Sequence, residues 1–242
     1  NLRRRLIATG DLVGDANSTT YDTTVSRAVA GFQARHGLPT TGSVFGLTLA
    51  HMNVPAETRV RQLEGNIARL RAVLGQVRNP HIVVNTPAFE LQAVGGEGMI
   101  DVASLVIVGK RATPTPDVSV TVRAVDLLPF WHVPSSVARD GLVPAVRKDP
   151  AYLSSRVIRV FAATGGREID PSTINWHAEN GSRFVFRQDP GPLNALGFIR
   201  LDMPNKHIVY MHDTPMRELF GHAERAYSAG CIRVQSIRDL AA

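Results

Sequence analysis

Tyr210-Met211-His212-Asp213-Thr214-Pro215, followed by Arg225-Ala226-Tyr227-Ser228-Ala229-Gly230-Cys231-Ile232-Arg233-Val234, contains the chain's one cysteine and the residues on which its reading turns. A thiolate attacks an acyl carbonyl well, but an ordinary thiol is mostly protonated at neutral pH. A neighbouring imidazole can take that proton and return it to a leaving amine. An acceptor on the second ring nitrogen holds the imidazole in place. His212 closes an expected strand and Cys231 follows a loop, so two strand ends can bring them together across a sheet. Cys231 is thus the candidate nucleophile and His212 its base. Gly230 has no Cβ, so backbone can pass close to a substrate there, and the amides around Gly230 and Cys231 can face a developing oxyanion. Arg233 and Arg225 offer positive charge for the thiolate and for a substrate carboxylate. Two blander readings stand beside this one. A free cysteine is often simply buried. Cys231, His212, Asp213 and His222 could also ligate zinc, but no Cys-x-x-Cys pair and no helical His spacing accompanies them.

Upstream of this stretch the pattern is β. Beyond Pro80, the runs Ile82–Val84 and Leu105–Val108 are short and apolar, and Gly109 closes the second. Val118, Val120 and Val122 alternate with polar residues, as a half-buried strand does. Ile199–Leu201 and Ile208–Met211 are further strand candidates, and antiparallel pairing is expected. Between Pro134 and Pro192 the texture changes. Asp149-Pro150 opens an expected helix at Tyr152-Leu153, Arg156–Ala162 reads as a strand, and Gly165-Gly166, Asp170-Pro171 and Asp189-Pro190 mark turns. This segment, about 135–190, reads as an insertion, either a lid over a site or a decoration.

The first part of the chain is helical. Asp22 or Thr23 caps a helix with Val25, Val29 and Phe32 on one face, and Gly37 stops it. Ala56–Leu74 forms a longer helix with Val60, Leu63, Ile67, Leu70 and Leu74 spaced by three and four; its arginines Arg59, Arg61, Arg69 and Arg71 read as a solvated face. The expected organisation is a helical module over 1–56, a connecting helix over 57–79 and a mostly β domain over 80–242. The fold class is α+β.

The wording Arg27–Leu38, with Thr41-Gly42 and Thr48-Leu49, resembles the three-helix peptidoglycan-binding module of wall enzymes. The block Ser228-Ala229-Gly230-Cys231-Ile232-Arg233 behind His212 closely resembles the L,D-transpeptidase family. Further blocks resemble its large Gram-negative type: Val84–Phe89, Val108-Gly109-Lys110 with Thr113–Pro116, Trp131-His132-Val133-Pro134, and Gly191–Gly197. The resemblance implies a metal-free enzyme with no cofactor. The Cys231 thiolate would attack the third residue of a tetrapeptide stem, D-Ala would leave, and an amine of a second stem would complete a 3→3 cross-link. It implies that donor and acceptor stem peptides are the partners, that carbapenems react, and that the compartment is the periplasm or cell envelope. A backbone carbonyl is the implied orienter of His212, leaving Asp213 to shape the turn. Tyr227 and Ser228 line the cleft or shape the nucleophile loop. Trp131 reads as core or as a lid hinge, and Asn194 and Gly197 read more as architecture than chemistry. The expected substrate-binding set is Arg233, Ser228, Tyr227, Asp213, Arg225, Trp131 and Asn194. One departure stands out: where many relatives carry His before the Gly of the block, this chain has Ala229.

The bulk numbers fit an enzyme of the envelope without choosing it. The chain has 242 residues, 44% hydrophobic and 20% charged, with net charge +6 and pI near 10.1; that balance favours anionic partners. The basic residues are scattered and no nucleic-acid motif accompanies them. One cysteine excludes an intrachain disulfide. The opening Asn1-Leu2-Arg3 has no initiator Met, no signal-type segment and no membrane-spanning run. It reads as an excerpt of a precursor with an export signal or anchor upstream. The competing functions are a wall-binding protein with an inactive catalytic domain, and the same acyl-enzyme with water or a lipoprotein lysine as acceptor.

Overall fold

The computed structural model describes residues 1–75 and 77–242, except for the side chain of Leu74. The expected place of Leu74 on the helix stripe therefore lies outside the described residues. The chain falls into two compact units, Asn1–Asn79 and Pro80–Ala242.

The first unit is helical: α1 (Leu2–Ala8), α2 (Thr23–Arg35), α3 (Gly46–Met52) and α4 (Ala56–Leu74). Asp22 caps α2, its carboxylate accepting from the Val25 N–H at 2.9 Å, which satisfies one of the free amides of a helix start. Val25, Val29 and Phe32 then point inward with Leu6, Leu12 and Met52. Buried Gln33 ties the helices together: its amide donates to Thr48 Oγ1 at 3.0 Å and to Ser43 O at 2.9 Å, while its oxygen accepts from Gly42 N. Gly37, at φ +65°, takes the left-handed turn that ends α2. The apolar stripe of α4 has the expected spacing, but Val60, Leu63, Ile67 and Leu70 are all exposed.

The second unit holds two sheets. The larger runs β1 (His81–Asn85), β2 (Glu90–Val94), β3 (Ile100–Gly109), β12 (Ile232–Val234), β10 (Met211–His212), β9 (Ile199–Asp202) and β4 (Ala124–Leu127), with β11 (Ala226–Ser228) against β3. Alternate residues of the central strands, among them Val106, Val108, Leu201, Met211, Ile232 and Val234, form one core, and Ile237 of α7 (Ile237–Ala241) joins it. The smaller sheet runs β5 (Trp131–His132), β8 (Phe184–Gln188), β6 (Ile158–Ala162) and β7 (Glu168–Ile169). It has a core of its own, built from Val160, Trp176 and Phe186 with Leu142, Val143 and Val146 of the helical stretch α5 (Ser135–Val137), a π-helical turn over 138–142, and α6 (Val143–Lys148).

Three expectations are corrected. Val118 and Val122 pack on the large core, but Val120 is exposed and the segment forms no strand; the ladder starts where Arg123 N–H reaches Asp202 O at 2.8 Å. Ile208–Met211 is strand only from Met211, because Ile208 has φ +55° and is exposed; a β-branched residue at positive φ breaks extension. Tyr152-Leu153 is a turn leading to a 3-10 turn, Ser154–Arg156, and the strand after it starts at Ile158. Pairing is antiparallel as expected except at β10–β12 and β11–β3, which are parallel. Parallel neighbours need a crossover, and residues 213–231, with a 3-10 turn at Arg217–Gly221, supply the one between β10 and β12.

Candidate active site

The parallel β10–β12 pair decides what faces what. Met211 aligns with Ile232 and His212 with Arg233. One residue earlier, the Ile232 N–H donates to Tyr210 O at 3.0 Å, which sets Tyr210 beside Cys231. Side chains alternate along a strand, so Met211 and Ile232 enter the core while Tyr210, His212, Cys231 and Arg233 share the opposite face. Across the antiparallel β9–β10 ladder, Arg200 stands opposite His212 on that same face. Asp126 of β4 stands opposite Arg200 and accepts from its Nε at 2.7 Å.

His212 is 4% exposed, and its Nδ1 lies 2.5 Å from Asp213 O. A carbonyl only accepts, so Nδ1 carries the proton and Nε2 is left with a bare lone pair. Burial, reinforced by the Arg233 charge, pushes its pKa down to about 4 against the pull of Asp213; a buried imidazolium is costly. The imidazole is neutral at pH 7.

Cys231 is half-buried, with its sulfur 4.0 Å from the Ile208 carbonyl. Burial pushes the thiol up, opposed by hydrogen bonds from Tyr210 and by the Arg233 charge. At rest the pair is thus thiol and neutral imidazole. Ser228 Oγ accepts from Gly230 N–H at 3.0 Å and donates to Cys231 O at 2.5 Å, clamping the loop from both sides. Gly230 sits at φ +121°, open to glycine and strained for other residues. Its N–H is turned inward to Ser228, whereas the N–H groups of Ala229 and Cys231 have no partner among the described residues.

The loop is also fastened from β3. Gly109 N–H donates to Thr115 Oγ1 at 2.9 Å, and Thr115 Oγ1 donates to Gly230 O at 2.8 Å. A Cβ on Gly109 would lie 2.2 Å from Thr113 O, so only glycine lets the 113–115 segment approach.

The other expected substrate contacts divide. Arg233 Nε is buried without a partner among the described residues, and its Nη1 reaches only Met216 Sδ at 3.6 Å; this guanidinium is available. Arg225 is already engaged. It is buried and its three nitrogens donate to Val106 O, His222 O and Phe89 O, so it braces β3 and the nucleophile loop from behind. Asn194 is also turned inward, donating to Pro129 O and Asp189 O and accepting from Leu196 N. Asp213 accepts from Phe198 N at 3.0 Å and pairs with Arg217; it pins the turn, and a Cβ on Gly197 would meet its carboxylate at 2.4 Å. Tyr227 is exposed and bonded to His222 at 2.8 Å. Trp131 packs on the small-sheet core.

Sequence reasoning passed over Tyr210, Arg200 and Thr115. Tyr210 and Thr115 stood inside quoted blocks, but no chemistry marked them. Arg200 carried no signal, since its place depends on the β9–β10 register. A groove of about 510 Å³ lies alongside, lined by Phe198, Asp213, Thr214, Arg217 and Gln235, on the Asp213 side of His212. Among the described residues no cluster of three or more His, Cys, Asp or Glu is placed to hold a metal ion. No described helix is long and apolar enough to cross a membrane.

Residues 1–52 match a family described as "Putative peptidoglycan binding domain". A Haemophilus influenzae protein named "Putative L,D-transpeptidase" is 34% identical over 182 residues, covering 75% of this chain and 36% of that protein. The chain therefore spans little more than a third of that curated relative. Residues 79–242 match the YkuD family, the L,D-transpeptidase catalytic domain. The chain belongs to the YkuD L,D-transpeptidase family.

Proposed function

We propose that the chain is a peptidoglycan L,D-transpeptidase acting in the cell envelope through a cysteinyl acyl-enzyme. The observation that supports the reading is the shared face of β10 and β12, which carries both the Cys231 thiol and a His212 whose Nδ1 is engaged by Asp213 O at 2.5 Å. As the sulfur attacks the carbonyl of the third stem residue, its proton passes to His212 Nε2. The S–C bond forms, the C–N bond to D-Ala breaks, and the imidazolium protonates the departing amine. The amine of a second stem then attacks the thioester. Its C–N bond forms, the C–S bond breaks, and the amine's proton returns through His212 to the sulfur. The Cys231 N–H is the donor for the oxyanion, and the unclaimed Arg233 guanidinium is the candidate partner for a stem carboxylate. In this reading, 1–56 binds peptidoglycan, 57–79 connects, and the insertion over 135–190 is a lid.

The test is intact-protein mass spectrometry after incubation with a carbapenem, comparing wild type with Cys231→Ala. A stable adduct on wild type alone is expected; an adduct on neither protein refutes the reading and favours a wall-binding protein with an inactive domain. Purified stem peptides then identify the acceptor. A 3→3 dimer is expected, whereas trimmed stems alone would make water the acceptor.

A further inference from the structure

The Cys231 N–H, the oxyanion donor of the steps above, shares one rigid peptide plane with the Gly230 carbonyl, and the two point in opposite directions from it. The peptide units on either side are tied down. The Gly230 N–H goes to Ser228 Oγ at 3.0 Å, the Cys231 carbonyl accepts from Ser228 Oγ at 2.5 Å, and the Ile232 N–H goes to Tyr210 O at 3.0 Å. The tilt of the plane between them turns on the ψ of a glycine at φ +121°, which has no side chain to restrict it. Among the described residues one hydrogen bond reaches that plane: the Thr115 hydroxyl donates to Gly230 O at 2.8 Å.

The surroundings of Thr115 hold that bond in place. Its Oγ1 also accepts from the Gly109 N–H at 2.9 Å, which leaves the hydroxyl proton for Gly230. Pro114 and Pro116 flank it; the first has its φ locked, the second disfavours the helical region for Thr115, and a β-branched side chain has few rotamers to exchange. The segment reaches β3 because Gly109 has no Cβ, which would lie 2.6 Å from Thr115 N. Two further bonds, from Thr113 Oγ1 at 3.3 Å and the Lys110 N–H at 3.0 Å, fasten the same loop to Ser228 O.

We propose that Thr115 is the positioning residue of the oxyanion hole: through Gly230 O it fixes the peptide plane that aims the Cys231 N–H. The inference rests on the reading of Cys231 as the nucleophile and of its amide as the oxyanion donor. A donor already held in place needs no reorganisation as charge develops on the substrate oxygen. A carbonyl that accepts a hydrogen bond also polarises the N–H across its amide, and chained bonds strengthen one another. The chain here runs from the Gly109 N–H through Thr115 Oγ1 and Gly230 O to the Cys231 N–H. Both effects act on the carbonyl under attack and not on the acidity of the thiol.

The chain's one cysteine lets two reagents report on the same sulfur. p-Nitrophenyl acetate acylates it at a carbonyl: the S–C bond forms through a tetrahedral oxyanion, the C–O bond breaks and p-nitrophenolate leaves. Iodoacetamide alkylates it at a saturated carbon; iodide leaves and no oxyanion forms. Both consume the thiolate, so acidity cancels in the ratio of the two rates. Intact mass gives both rates in wild type, in Thr115→Val, which keeps the shape and loses the hydroxyl, and in Thr115→Ser, which retains it. Deleting an oxyanion donor outright costs about 10²–10³-fold. Loosening one by the loss of a single hydrogen bond should lower the acylation-to-alkylation ratio about tenfold in Thr115→Val, with Thr115→Ser within about twofold of wild type. A purely structural role would slow both reagents together and leave the ratio unmoved. An unchanged ratio in folded Thr115→Val overturns the proposal, as does an equal loss in Thr115→Ser, or a wild-type thiol that alkylates yet resists the ester. If Thr115→Val fails to fold because the Gly109 N–H is left unpaired, Thr115→Ala, which opens that amide to solvent, is read by the same ratio with the same outcomes. Ester acylation does not depend on recognition of a stem peptide. A lowered ratio without a carbapenem adduct therefore refutes the transpeptidase reading alone, and an adduct with an unchanged ratio refutes this one alone.

Discussion

Lowering the pH should destabilise the catalytic unit through His212. In the folded chain its pKa is about 4, against 6.5 for the free side chain. Between those values the unfolded chain binds a proton at this position and the folded chain does not. Its contribution to stability is full above pH 6.5, declines as pH falls below that, and is gone near pH 4. The gap, at about 1.4 kcal/mol per pH unit, corresponds to about 3 kcal/mol. Against a typical stability of about 5–15 kcal/mol this is readily measured. Urea unfolding should be followed by tryptophan fluorescence at intervals from pH 7.5 to 4, in wild type and in His212→Gln. Glutamine retains an N–H donor but does not titrate, and carboxylates far from position 212 titrate in both proteins and cancel in the difference. Wild type should lose about 3 kcal/mol more than the variant over that range. Parallel curves, differing by less than about 0.5 kcal/mol in slope across the interval, would refute a buried neutral imidazole and with it the assignment of His212 as a base at neutral pH.

Ser228→Ala removes the hydroxyl that clamps Gly230 N–H and Cys231 O; stability should fall by about 1–3 kcal/mol and carbapenem acylation should slow, read by urea unfolding and timed mass spectrometry. Gly197→Ala puts a Cβ 2.4 Å from the Asp213 carboxylate at φ +61°, and a loss of about 2 kcal/mol or more is expected in the same unfolding assay. Arg225→Met leaves three backbone carbonyls without their donor. It should lose about 2–4 kcal/mol of stability, while the folded fraction retains its KM for the donor stem; a raised KM at unchanged stability would instead make Arg225 a substrate contact.

The readable parts of this chain were those whose signal is local. The α+β class, the Asp22 cap and the α4 period follow from residues within a few positions of one another, because capping and side-chain periodicity are properties of one segment. The chemical types at His212, Cys231 and Arg233 were equally legible, since a thiol, an imidazole and a guanidinium announce themselves wherever they fold. Burial of the α4 stripe was not legible, because it depends on what lies against the helix.

Tertiary structure alone decided the pairing direction and the allocation of donors. Parallel β10–β12 pairing places Cys231, His212, Tyr210 and Arg233 on one face, and nothing in either short strand specifies the direction of its neighbour. Arg225 and Arg233 read alike in sequence; one is consumed by three carbonyls from distant segments and the other retains an unclaimed Nε. The same holds for the Gly230 amide, which Ser228 takes. Sequence fixes which groups can donate or accept, whereas the partners that satisfy them arrive from elsewhere along the chain, and only packing decides which are left free to do chemistry.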